Sequence, residues 1–105
     1  MSRDAYTAIA DPTRRQILEL LRGKGTLMAG EIAGNFASAS RPGISRHLRV
    51  LKECGVVTST RDGKSQNYTL NPKPLNDILE GWLGNFAQMQ VESLSALRRR
   101  VEQND

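Results

Sequence analysis

The chain is 105 residues long, with 15 Lys and Arg against 11 Asp and Glu, a net charge of +4 and one cysteine, which is room for a single basic domain without an intrachain disulfide. No apolar run approaches the ~18 residues of a membrane span, and Met1-Ser2-Arg3-Asp4 lacks the apolar core of a signal peptide. Secreted disulfide scaffolds, membrane spans and large multidomain enzymes are thereby excluded, and a cytoplasmic protein is expected.

Residues 3–9 read as a short helical turn with Tyr6 and Ile9 on one side. Asp11-Pro12 opens a clear helix. Asp is a good N-cap, and Pro suits the first helical position, where its missing N–H costs nothing. Ile17, Leu18, Leu20 and Leu21 follow at helical spacing, and Gly23 is expected to end the helix. A second short helix fits residues 28–35, with Ile32, Ala33 and Phe36 inward. Its start is weakly signalled, because Met28 stands where a capping Ser or Thr would help.

The segment 38–53 carries the most information. Ser40 is the expected N-cap, and Pro42 in the first turn is tolerated there. Ile44, Leu48 and Leu51 form one buried stripe at i, i+4 and i+7, while Arg41, Ser45, Arg46, Arg49 and Lys52 fall largely on the remaining face. Gly55 ends the helix. A short turn between two helices, the second Arg-rich and amphipathic, is a helix-turn-helix pattern, with the recognition helix at about residues 40–54.

Val56 to Thr60 and Gln66 to Leu70 are β-branched or aromatic runs on either side of Asp62-Gly63. Asp-Gly in that setting predicts a hairpin whose two turn positions take positive φ. Val57, Tyr68 and Leu70 alternate with polar residues, so one face is buried and one is wet. A hairpin at about 56–70, directly after a recognition-type helix, is a wing. Asn71-Pro72-Lys73-Pro74 is the only linker-like stretch. A long helix follows, at about 74–102. Leu75, Ile78, Leu79, Trp82, Leu83, Phe86, Met89, Leu94, Leu97 and Val101 recur along it at three- and four-residue steps. Gly81 and Gly84 beside Trp82 point to close approach by another helix. The fold class is mainly α with a small β-hairpin: a winged helix-turn-helix of about five helices and a two-stranded wing in one domain, residues 1–105.

Hydrophobic residues are 38% of the chain, lean against the ~45–50% of a typical globular protein, although that range also counts Gly. So short a chain buries only part of its surface alone. A partner, most simply a second copy, is expected to complete the core. The basic excess is local. Residues 41–70 hold Arg41, Arg46, Arg49, Lys52, Arg61 and Lys64 against Glu53 and Asp62, which accounts for the whole +4, and Phe36 to Lys52 contains no acid. Such a face attracts polyanions, nucleic acid above all.

Each part of a DNA reading has a mechanism. Arg46 is the leading base reader, with Arg41 and Ser45 next, since Arg is the usual reader of guanine in the major groove. Ser40, near the helix N-terminus, serves phosphates, as do Arg49 and Lys52. Arg61 and Lys64 on the wing enter the minor groove or touch the backbone. His47, at the edge of the buried stripe, is packed or contacts phosphate. RNA is disfavoured because no aromatic platform accompanies the basic residues. The alternative from another class is a winged-helix protein-interaction module, which has no need of a basic recognition face. One Cys and one His cannot assemble a metal site. A single His without an evident acidic partner, and no Gly-rich phosphate loop, argue against an enzyme. Cys54 reads as an inert, partly buried thiol. No cofactor is expected.

Several stretches together resemble the ArsR-type winged-helix repressors. Ala8-Ile9-Ala10-Asp11-Pro12-Thr13-Arg14-Arg15-Gln16-Ile17-Leu18 is similar to that family's opening, and Gly30-Glu31-Ile32-Ala33 to the start of its helix-turn-helix. Ser40 to Leu51 is similar to its recognition helix, while Cys54-Gly55-Val56-Val57, Arg61-Asp62-Gly63-Lys64 and Tyr68 fit the helix exit and wing. The resemblance covers about residues 4–101. It implies repression from an inverted-repeat operator, relieved by some signal. It also implies a homodimer whose first and last helices pack across a twofold axis, with Tyr6, Leu75, Leu79, Trp82, Phe86 and Met89 at the interface. The metal-sensing members carry cysteines at the helix beginning here near Met28, or His and acidic ligands along the last helix. This chain has no cysteine at the former, and the latter has no His, its acids, among them Asp77, Glu80 and Glu92, being scattered. The Trp82-Leu83 region resembles a metal-independent, SdpR-like branch, although the second tryptophan frequent there is absent.

Overall fold

Two aspartates start the first two helices. Asp4 Oδ1 accepts from the Thr7 amide at 3.1 Å and caps α1 (Ala5–Ile9). Asp11 Oδ1 accepts from the Thr13 and Arg14 amides at 2.8 and 3.1 Å and caps α2 (Pro12–Lys24), with Pro12 at its first position. In this computed structural model the backbone of residues 4–103 and the side chains of residues 4–87 and Arg98 are described. Helix α2 runs through Gly23, contrary to the expectation that Gly23 would end it. Gly25 is the stop: its φ of +81° and ψ of −143° are open to a residue without a Cβ, and its amide donates to the Leu21 carbonyl at 2.9 Å.

A two-residue strand, β1 (Leu27–Met28), precedes α3 (Ala29–Ala33). The predicted 28–35 helix is thus shorter at both ends, because Met28 is extended and Gly34 already serves as the C-cap. Met28 has no polar side chain to cap α3, and Glu31 Oε1 compensates by accepting from the Met28 amide at 2.9 Å. Helix α4 (Arg41–Glu53) begins with Ser40 Oγ accepting from the Gly43 amide at 3.1 Å and closes at Cys54. The wing is β2 (Val57–Asp62) antiparallel to β3 (Ser65–Leu70), and β1 joins on the other side to give the order β1-β3-β2. Val57 pairs with Leu70 and Asp62 with Ser65, so the two-residue loop is Gly63-Lys64 rather than Asp62-Gly63. Of these two loop residues only Gly63 takes positive φ, +63°. This is the pattern of a II′ turn and not of the I′ turn that Asp-Gly predicts.

The core is what the helical periodicities require. Ile17, Leu18 and Leu21 of α2, Ile32 of α3 and Ile44, Leu48 and Leu51 of α4 pack with Ala5, Ala8, Val56 and Val57. Seating α4 by its apolar stripe holds its polar face outward, each fully buried Leu or Ile contributing roughly 1.5–3 kcal/mol. Cys54 is buried as well. The chain forms two compact units, Met1–Leu75 and Asn76–Asp105. Helix α5 (Lys73–Gln103) supplies the second. Among the described residues, no helix is long and apolar enough to cross a membrane.

Candidate nucleic-acid interface

With Ile44, Leu48, Val50 and Leu51 buried, α4 presents Arg41, Ser45, Arg46, Arg49 and Lys52 to solvent. Ser40 is exposed at its head, where its hydroxyl is committed to capping. That cap needs a close approach: a Cβ on Gly43 would lie 3.0 Å from Ser40 Oγ. On the wing, Arg61 and Lys64 are exposed, and Arg61 Nε donates to the Gly63 carbonyl at 3.3 Å, curling back over the turn. Arg41 and Lys64 meet at one cleft of about 330 Å³, lined also by Met28, Gly30, Gln66 and Tyr68, with no carboxylate among its walls. Arg41 Nη2 lies 3.5 Å from where a side chain on Gly30 would begin, an ordinary van der Waals contact. Helix α4 and the wing thus each contribute a cation to one cleft, and a basic cleft attracts polyanions.

His47 stands apart from the other eight residues. It is half-buried, with Nδ1 3.4 Å from Arg14 Nη1 and Nε2 4.0 Å from Asp11 Oδ1. Burial opposes the charge on Asp11, but the Arg14 amide, the protonated form of His47, the Thr13 amide and the Arg14 guanidinium together outweigh it. They hold the Asp11 carboxyl below its ordinary value. The sequence around Arg14 carries no signal of this contact. Its histidine partner is 33 residues away, and no local pattern announces such a pair.

A helix-turn-helix domain family matches residues 9–60, from the end of α1 into β2. The transcriptional repressor SdpR of Bacillus subtilis is 45% identical over 83 residues, covering 79% of this chain and 89% of that protein. The chain belongs to the ArsR family of winged helix-turn-helix transcriptional regulators. Its fold agrees with solved members. An ArsR-like transcriptional regulator from Rhodococcus sp. RHA1 superposes with a TM-score of 0.72 at 28% identity, covering 94% of this chain and 88% of that one. A protein described as a possible transcriptional regulator for arsenical resistance gives 0.69 at 35% identity, covering 91% and 95%.

The ArsR family consists of DNA-binding regulators rather than catalysts, and the similarity to SdpR relates this chain to the SdpR-like branch. Among the described residues, no three of His, Cys, Asp and Glu converge as a metal site would require. The residues assigned to dimerisation fall into three groups. Tyr6, Trp82 and Phe86 are about half exposed in the single chain, at 48%, 51% and 52%. Leu75 and Leu79 are half-buried, and the Met89 side chain lies outside the described residues. The rings of Trp82 and Phe86 pack on each other with centroids 4.9 Å apart. A shallow groove on α5 is lined by Leu79, Leu83 and Ala87 with Asn76, Glu80 and Gly84.

Proposed function

We propose that the protein is a homodimeric transcriptional repressor of the cytoplasm that binds an inverted-repeat operator and does not sense metal by direct ligation. The observation that carries this reading is the outer face of α4. Arg41, Arg46, Arg49 and Lys52 are exposed there on a helix seated by its apolar stripe, beside a wing that adds Arg61 and Lys64. Arg46, Arg41 and Ser45 read base edges. Ser40, Arg49 and Lys52 hold phosphates, and the wing cations reach the minor groove or the backbone. The chain acts as one winged helix-turn-helix domain, with α1 and α5 as the dimerising elements. The name of SdpR as a repressor supports the sense of regulation.

The test is selection of bound fragments from genomic DNA by the purified protein, followed by footprinting. Protection of two inverted half-sites is expected. Fragments recovered without any shared sequence would overturn the operator reading. No retention of DNA at low salt would favour a protein-interaction module.

A further inference from the structure

The guanidinium of Arg14 bonds two other helices at once. Nη2 donates to the Thr7 carbonyl at 2.9 Å and Nε to the Ala8 carbonyl at 3.2 Å, both on α1. Nη1 points to His47 Nδ1 on α4 at 3.4 Å. A guanidinium has donors and no acceptor. Its contact with His47 therefore requires an unprotonated Nδ1, which leaves the ring proton on Nε2. That nitrogen faces Asp11 Oδ1, the cap of α2, at 4.0 Å. Both ring nitrogens are turned toward the protein, and the side chain is only 25% exposed. Arg46 and Arg49, its close neighbours on α4, are exposed.

We propose that His47 is a positioning residue: it accepts from Arg14 and so fixes the recognition helix against α1 and α2, rather than contacting DNA itself. This rests on α4 being the DNA-reading helix. Because Arg14 also holds the last turn of α1, which carries the exposed Tyr6, one guanidinium ties a proposed dimerising element to the helix that reads bases.

Three variants of the full chain separate the two roles. His47→Asn retains an acceptor near the Nδ1 position. His47→Lys sets a cation against Arg14, yet would serve a phosphate well. Arg14→Lys keeps the charge but loses the three-way fork. The expected result is operator affinity near wild type for His47→Asn, and a loss of about tenfold or more for the other two, as for a broken charged hydrogen bond. Circular dichroism verifies folding, and Arg14→Lys decides the matter if His47→Lys does not fold. His47→Lys binding as tightly as wild type, or His47→Asn failing along with it, overturns the proposal. A readout independent of DNA is the ¹⁵N spectrum of the His47 ring in mildly alkaline solution. It should show Nε2 protonated and Nδ1 accepting, with that preference weakened in Arg14→Lys. An Nδ1-protonated ring overturns the pairing. If wild type binds no duplex at all, the DNA reading fails, and the ring spectrum still decides whether Arg14 and His47 are paired.

Discussion

A methyl group added at Gly23 meets open space on helical backbone, so Gly23→Ala should stabilise the chain by about 0.5–1 kcal/mol. The same methyl at Gly25 also meets open space, but on a backbone at φ +81° and ψ −143°, where an L-residue costs about 1–3 kcal/mol. Thermal unfolding should therefore move in opposite directions for two substitutions two residues apart, and equal shifts would contradict the observed end of α2. Asp11 gives a pH-dependent counterpart. Its carboxyl is held below the ordinary 3.8 in the folded chain. Its contribution is therefore present above the unfolded value and is lost as pH falls through the lowered one. Asp11→Asn keeps the cap, because Asn caps as well as Asp, but it does not titrate. The stability advantage of wild type over Asp11→Asn should shrink between about pH 5 and about pH 3, where the carboxylate takes up its proton, measured by urea unfolding. The side chain is 34% exposed, so solvent screening keeps the effect small, and its sign is the readout. A difference that grows on acidification would show that the charge on Asp11 opposes folding.

At the scale of elements, α4 and the wing should supply different kinds of binding energy. Arg46 projects from the middle of α4, two positions after the buried Ile44, and can offer a bidentate guanidinium worth about 1–3 kcal/mol of base discrimination. Lys64 is the exposed second residue of the wing turn and lines a cleft, and its ammonium on a flexible stem offers a point charge. Arg46→Ala should lower affinity for operator more than for scrambled duplex. Lys64→Ala should weaken both alike and reduce the salt slope by roughly one unit. Equal losses on both duplexes for Arg46→Ala would make it another phosphate contact. The start of α3 and the described part of α5 lack converging ligands, so zinc, cadmium or arsenite should leave operator affinity unchanged. A stoichiometric, chelator-reversible release would reveal a site. The elements differ in how readily the sequence discloses them. Helix α4 was legible because its cap, stripe and polar face are all local. The wing strands were legible for the same reason, but their turn was not. Its register is set by Val57 pairing with Leu70, which overrides the Asp62-Gly63 preference. Strand β1 has two residues and so no periodicity, and its partners Tyr68 and Asn67 are some forty positions away. The cations of the candidate interface were readable as one helix face plus a hairpin tip. Arg14 was not, since its role depends on where α1 and α4 come to lie.

At the scale of the whole molecule, the exposed aromatics of α5 bear on the proposed dimer. Trp82 and Phe86 pack on each other at a tilt of 57° and remain about half exposed, with Leu83 beside them at 48%. Had Trp82 been fully buried within one chain, truncating it would cost about 3–5 kcal/mol of folding stability. Half exposed, it has less to lose in the monomer and more to gain from a second copy, whose contact would remove that apolar surface from water. Trp82→Ala should accordingly leave the helical content of the chain intact while shifting sedimentation from dimer to monomer. In the proposed dimer the second half-site is engaged at a high effective concentration, which would be worth about 10²–10⁴ in overall affinity. The variant should bind a duplex with one half-site as wild type does, yet lose that factor on the full inverted repeat, whose half-sites are expected about one helical turn or a multiple of it apart. A well-folded wild-type monomer at micromolar concentration would overturn the dimer. Equal losses on the single and double half-sites would instead place Trp82 in the fold of the monomer.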